Sequence, residues 1–220
     1  MNKSSYLRMK WFRDNYIPKN NQLLKVLDVG SQDVNGSYKE LFQLPRFKYY
    51  GLDICKDKNV DIVLNRPYNW DIIPSEAFDI IISGSTFEHI EFFWLTLEQM
   101  VRVLKNNGLL CIIAPRGYGN HRYPVDCWRF DADGMVALAR YCKLEILHAS
   151  TNCAPSENDI EWFSNIAADS ILIAKKPYQG NARVADKYYN LIVPDLAKLR
   201  KPLVPYKVTI IDKIKRRLLN

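Results

Sequence analysis

Seven short, mostly apolar runs separated by helical patterns or turn residues constrain this chain more than any other feature. They are Lys25–Gly30 (KVLDVG), Lys48–Ile54 (KYYGLDI), Val60–Leu64 (VDIVL), Phe78–Ser83 (FDIIIS), Leu109–Ala114 (LLCIIA), Leu144–Ala149 and Ser170–Ala174. Runs that are apolar on both faces suit strands covered on both sides, which is the pattern of a parallel sheet layered with helices. The helical patterns agree. Ser37–Leu44 reads as a helix stopped by Pro45. Phe93, Leu97, Val101 and Leu104 recur at helical spacing before Asn107-Gly108. Met135, Leu138, Ala139 and Cys142 mark a further helix capped by Asp131 or Asp133. No helical pattern is long enough to cross between the last two strands, so they are expected to pair antiparallel. The expected fold is α/β: a seven-stranded, mostly parallel sheet with the last strand antiparallel and helices on both faces.

The 220 residues amount to one domain with appendages. Net charge divides them: +5 over residues 1–25, −7 over 26–174 and +9 over 175–220. The expected organisation is a basic helical segment over 1–21, a folded domain over 22–176 and a basic, proline-containing tail over 177–220. Basicity therefore belongs to the ends and says little about what the middle binds. The five cysteines are odd in number and none has C-x-x-C spacing. That suits a reducing compartment. Met1–Lys19 is charged throughout and no run is long enough for a membrane span, so a cytoplasmic location is expected.

In an open parallel sheet, ligands bind outside the carboxyl ends of the strands. The first strand ends Asp28-Val29-Gly30-Ser31. Glycine there lets the backbone approach a ligand closely. The pattern is not G-x-G-x-x-G, because Gln32 and Asp33 follow. An aspartate facing a pyrophosphate is unfavourable, so a cationic ligand without phosphate fits better. Asp53 ends the second strand, where an acid can accept hydrogen bonds from ribose hydroxyls.

Four segments carry a resemblance to class I S-adenosylmethionine-dependent methyltransferases: Val26–Tyr38, Tyr49–Ile54, Phe78–Ile90 and Leu104–Pro115. With Phe87–Trp94 (FEHIEFFW) and His121–Phe130 (HRYPVDCWRF), the chain also resembles a bacterial group within the type-11/type-23 methyltransferases. The resemblance spans residues 22–176 and implies a Rossmann-like sheet. It implies that Asp28, Gly30 and Ser31 line the methionine end of S-adenosylmethionine. Asp53 would hold the ribose, Ile54 would pack on adenine, and Ser83, Gly84 and Ser85 would pass beneath the sulfonium. Asn65 stands where relatives often carry an acid, and the loop from Asp53 to Val60 is short for the family. Members of this group often serve surface-glycan or small-metabolite pathways.

Two segments compete for the methyl acceptor. His89, after the fourth strand, is either a base or a loop-holding histidine. His121, Arg122, Tyr123, Asp126, Trp128 and Arg129 bring a titratable base, two cations, a carboxylate and aromatics into one stretch. Arginine suits a carboxylate or phosphate, and aromatics give flat walls for a sugar or ring. The expected catalytic residues are His121, Asp126 and His89, with Asp126 orienting His121 or acting as the base itself. Arg122, Tyr123, Trp128 and Arg129 are expected to bind substrate. The competing reading is a structural turn in which Tyr123 and Trp128 pack and Arg129 pairs with Asp126. A metal site made from His89, His121 and Asp126 is conceivable, but no H-x-x-x-H spacing supports it, so no metal site is expected. His148 reads as a satisfied histidine, and Trp162-Phe163 as a lid or a core pair.

The expected reaction is methyl transfer from S-adenosylmethionine to oxygen of a small molecule or surface-glycan precursor. The alternatives are an RNA methyltransferase using the basic ends, a non-catalytic cofactor-binding regulator, and a nicotinamide-dependent oxidoreductase. The acidic middle and the lack of an RNA-binding module argue against nucleic acid. Ile210, Ile214 and Leu218 fall on one face of a basic helical pattern. That face would suit a homo-oligomer or a peripheral membrane contact.

Overall fold

The computed structural model describes residues 3–117, 119–151 and 168–178. Helix α1 (Lys3–Tyr16) precedes β1 (Leu24–Val29), β2 (Phe47–Asp53), β3 (Ile62–Val63) and β4 (Phe78–Gly84). Helix α2 (Phe93–Val103), β5 (Leu104–Gly117), α3 (Ala132–Tyr141), β6 (Glu145–Thr151) and β7 (Ala168–Lys175) follow. The seven strands form one sheet in the order β3-β2-β1-β4-β5-β7-β6. The pairings from β3 to β5 are parallel, and β7 runs antiparallel to both β5 and β6. This is the expected Rossmann-like architecture.

Alternation along the strands builds two cores. Ile81 of β4 and Leu110 and Ile112 of β5 pack with Leu97 and Met100 of α2 and Met135 of α3. Ile80, Ile82, Cys111 and Ile113 point the other way, onto Met9 and Phe12 of α1. With both faces covered, a strand such as Phe78–Gly84 has few positions left for polar residues. The N-terminal helix has a weak sequence pattern because it buries polar residues too. Ser4 donates to Asp169 at 2.6 Å, and Ser5 shares a 2.5 Å hydrogen bond with Tyr38.

Three local expectations change. Ser37–Leu44 holds only a 3₁₀ turn, Lys39–Phe42, in place of a full helix. Leu41 and Phe42 there still reach the α1 side of the core. β5 begins directly after α2, so Asn107-Gly108 lies within the strand, with Asn107 at φ +62°. Asp131 occupies the position before α3 but makes no side-chain capping bond.

β1 sits between β2 and β4, so the chain leaves it in both directions. That is the switch point where the carboxyl ends open a crevice. Register sets Asp28 opposite Gly51 and Val29 opposite Leu52. Gly51 lets the following loop fold back tightly: a Cβ there would stand 1.9 Å from the Asn59 carbonyl oxygen. The expected lid pair Trp162-Phe163 and the tail carrying Ile210, Ile214 and Leu218 lie outside the described residues. Among the described residues, no helix is long and apolar enough to cross a membrane.

Candidate active site

A cavity of about 340 Å³ opens at the carboxyl ends of β1, β2 and β4. One end is built by Gly30, Gln32, Asp53 and Ile54, and the other by His89, Tyr123 and Val125. Ser85 and Thr86 also line it. Gly30 adopts φ +81°, and a Cβ there would stand 2.2 Å from Thr86. Glycine thus lets the β1 and β4 loops close on each other.

Asp53 ends β2 with its carboxylate held by backbone. Oδ1 accepts from the amides of Ile54 at 2.7 Å and Cys55 at 3.1 Å, and Oδ2 accepts from Gln32 at 3.2 Å. These bonds fix its direction and leave lone pairs for further donors. Ile54 is half exposed beside it, and Val34 and Leu64 add apolar wall. A carboxylate beside an apolar wall is what a nucleoside's ribose and base require.

Several other residues expected to meet the cofactor turn inward. Asp28 is buried and accepts a 2.5 Å hydrogen bond from the Tyr49 hydroxyl. Burial pushes its carboxyl up to about 7, against the opposing pull of Tyr49. Ser31 donates to the Asn59 carbonyl at 3.1 Å, and Asn59 returns a 2.9 Å bond to the Ser31 carbonyl. Ser83 donates to the Val29 carbonyl at 2.8 Å. A Cβ on Gly84 would stand 2.1 Å from the Tyr38 hydroxyl. Of Asp28, Ser31, Ser83, Gly84 and Ser85, only Ser85 lines the cavity, at φ +53°. Asp33 also differs from expectation. It pairs with Lys58 at 3.0 Å and accepts from the Gly36 amide, outside the cavity. The Lys58 ammonium holds it below the usual carboxylate range.

The opposite end gathers both segments considered for the acceptor. Glu88 and His89 lie on a 3₁₀ turn, Phe87–His89. The Glu88 carbonyl accepts from the amides of Cys127 at 2.7 Å and Trp128 at 3.3 Å, which pins the 119–130 segment onto that turn. His89 and His121 consequently meet edge to face, with ring centroids 4.9 Å apart. Nε2 of each stands 3.7 Å from Glu88 Oε1. His89 Nδ1 lies 2.6 Å from the Val125 carbonyl, and burial lowers its pKa.

Asp126 has a different partner. Arg129 grips both its oxygens, at 2.5 and 2.8 Å, and the His121 amide donates to it at 2.8 Å. The guanidinium holds this carboxylate far below the usual range. An anion of that kind orients His121, whose Nδ1 is 3.5 Å away, and is a poor proton acceptor. Arg129 is thus paired within the segment, as the structural-turn reading expected. Arg122 is exposed and outside the cavity lining, whereas Tyr123 is exposed and lines it. Trp128 stacks edgewise on Phe93 and remains partly exposed. His148 bonds Ser150 at 2.7 Å and packs on Trp11.

The member absent from the sequence-based site is Glu88. It is 1% exposed, its Oε2 has no hydrogen-bond partner among the described residues, and burial pushes its carboxyl up to about 8. Its only sequence signal was an acid between Phe87 and His89 in an apolar stretch.

Residues 27–112 match a family model described as a methyltransferase domain. No curated protein matches the sequence. Among solved structures, an S-adenosylmethionine-dependent methyltransferase from Methanosarcina mazei is 13% identical with a TM-score of 0.54. The match covers 76% of this chain and 97% of that one. One from Aquifex aeolicus is 16% identical, covering 70% and 83%, with a TM-score of 0.50. The [4+2]-cyclase SpnF is 16% identical, covering 77% and 80%, with a TM-score of 0.57. At these identities the solved structures show a shared fold, and SpnF shows that the fold also hosts another chemistry.

Proposed function

We propose that the chain is an S-adenosylmethionine-dependent methyltransferase that methylates an oxygen of a small molecule or surface-glycan precursor; the methyltransferase-domain match over residues 27–112 and the shared fold support the reading. The observation that carries this reading is that one cavity joins Asp53 at one end to His89 and Tyr123 at the other.

The residues present fit S-adenosylmethionine. Asp53 would hold the ribose hydroxyls, Ile54, Val34 and Leu64 would wall the adenine, and the Gly30 backbone would border the methionine portion. The cofactor supplies a methyl group already activated on a cationic sulfur. What remains for the protein is to align an oxygen with that methyl, exclude water and relieve the acceptor of its proton. His89 lines the cavity and would take that proton, with Glu88 and His121 in contact behind it and Asp126 holding His121 in orientation. Tyr123, Trp128 and Phe92 offer partly exposed aromatic surface for a sugar or other ring. Arg122 is available to an anionic group of the acceptor.

The described cysteines, Cys55, Cys111, Cys127 and Cys142, are free thiols, which supports a cytoplasmic setting. The basic tail would contact a partner copy or a membrane surface. The test is an acceptor screen over sugars, nucleotide-sugars and phosphorylated metabolites, followed by S-adenosylhomocysteine release. A hydroxylated metabolite should give turnover. Turnover only on RNA, with steep salt dependence of binding, would overturn the assignment.

A further inference from the structure

We propose that Glu88, His89 and His121 bind a divalent first-row transition cation at the acceptor end of the cavity. One ligating atom from each lies within 4.8 Å of the other two. Glu88 Oε1 is 3.7 Å from Nε2 of both imidazoles. The other ring nitrogens face backbone carbonyls: His89 Nδ1 meets Val125 O at 2.6 Å, and His121 Nδ1 meets Gly119 O at 3.2 Å. A carbonyl only accepts, so each neutral ring carries its proton on Nδ1 and turns an Nε2 lone pair toward Glu88.

Three lone-pair-bearing atoms therefore converge, and Glu88 has a second, buried oxygen without a partner among the described residues. Such an arrangement is costly unless protons or a cation lie between the groups. A cation satisfies the buried Glu88 carboxylate and uses the tautomers that the carbonyls already select. Imidazoles anchored through the far nitrogen are the usual support of metal-bound histidine.

The donor set points to the class of ion. Two imidazoles and one carboxylate suit zinc, iron or cobalt better than calcium or magnesium, which prefer oxygen. Tetrahedral ligands about 2.0–2.1 Å from zinc stand about 3.3 Å apart, so the pairs at Glu88 need to close by only a few tenths of an ångström. The two rings, nearly perpendicular at 84°, need a larger adjustment. Three protein ligands leave a position for an acceptor oxygen, and His89 already lines the cavity. Asp126 stays outside the set because Arg129 holds both its oxygens.

The inference rests on the reading of this end as the acceptor site and gives the imidazoles a ligating role in place of direct proton acceptance, because an Nε2 bound to the cation has no lone pair left for a proton. An acceptor hydroxyl on the cation loses its proton to water more readily, as metal-bound water does. Acceptors with vicinal hydroxyls, or a hydroxyl beside a carboxylate, would chelate the ion.

The test is a titration of chelator-stripped, untagged full chain with Co²⁺, followed by visible absorption and calorimetry, with Zn²⁺ as competitor. One Co²⁺ per chain, displaced by Zn²⁺, is expected. Glu88→Gln and His121→Ala should each weaken binding by more than about 100-fold, beyond the usual loss from a supporting residue. The second variant keeps the test decisive if the first does not fold. Absence of stoichiometric binding, or equal affinity in a folded variant, overturns the proposal. S-adenosylmethionine affinity, measured in parallel, separates the two readings. If it persists without metal binding, only the cation site fails. If it too is absent, the enzyme assignment fails.

Discussion

Arg129 binds both carboxylate oxygens of Asp126, at 2.5 and 2.8 Å, and so separates two roles that the sequence left open for that aspartate. Held as an anion, Asp126 anchors the 119–130 segment and orients His121. Arg129→Ala should cost about 1–3 kcal/mol of stability, because a covered carboxylate loses its charged partner while part of the guanidinium's worth is screened by solvent. Denaturant unfolding measures this. S-adenosylmethionine affinity should change little, since Asp53 lies at the other end of the cavity.

Asp53→Ala should weaken S-adenosylmethionine by about 10–100-fold, the scale of a hydrogen bond to a charged group. Calorimetry checks this directly. Unchanged affinity would remove Asp53 from the cofactor site.

His121→Ala should preserve cofactor affinity and lower turnover by about 10²–10⁴-fold, as expected for loss of proton-transfer assistance. Comparing it with His89→Ala assigns the greater share of acceptor activation. Retained turnover in His121→Ala with none in His89→Ala would transfer the principal role to His89.

Glu88 should leave a signature in the pH dependence of stability. Its folded-state pKa, near 8, lies above the ordinary 4.5 because burial favours the neutral form. The folded state therefore binds the extra proton between those values. The associated stability is complete below about pH 4.5, declines as pH rises and is lost above about pH 8. In chelator-treated protein, the wild type should lose more stability than Glu88→Gln between pH 5 and pH 8.5, by on the order of a few kcal/mol. Parallel profiles would count against a buried, protonated Glu88.

Gly51→Ala should destabilise the domain by about 1–3 kcal/mol, because the added methyl meets a backbone carbonyl that cannot rotate away. Gly117→Ala is the matched control, since a methyl group at that position would meet nothing within 4 Å among the described residues. Equal melting temperatures for the two variants would show that the loop at Asn59 yields without cost.

The strands, α2, α3 and the place of Asp53 were legible because each depends on short-range pattern. Apolar runs announce buried strands, recurrence every three or four residues announces helix faces, and a strand's last residue reaches the crevice once the sheet is parallel. The 3₁₀ turn at Lys39–Phe42 was less legible, because a short apolar pattern does not distinguish one turn from a full helix. Ser31, Ser83 and Asp33 were placed at the right strand ends but not in the right directions. Their partners are Asn59, Val29 and Lys58, and no local periodicity selects among those.

By itself the sequence determined a mostly parallel α/β sheet with an acid, Asp53, at the end of its second strand, since strand patterning and strand ends are local properties. Tertiary structure alone decided that Glu88 is buried between two imidazoles and that Arg129 neutralises Asp126. It also decided that most of the serines after β1 and β4 serve the backbone. Burial and the direction of a charge depend on groups far apart in the chain. His89 and Val125, 36 positions apart in the chain, close to a 2.6 Å contact only when the sheet brings the two loops together.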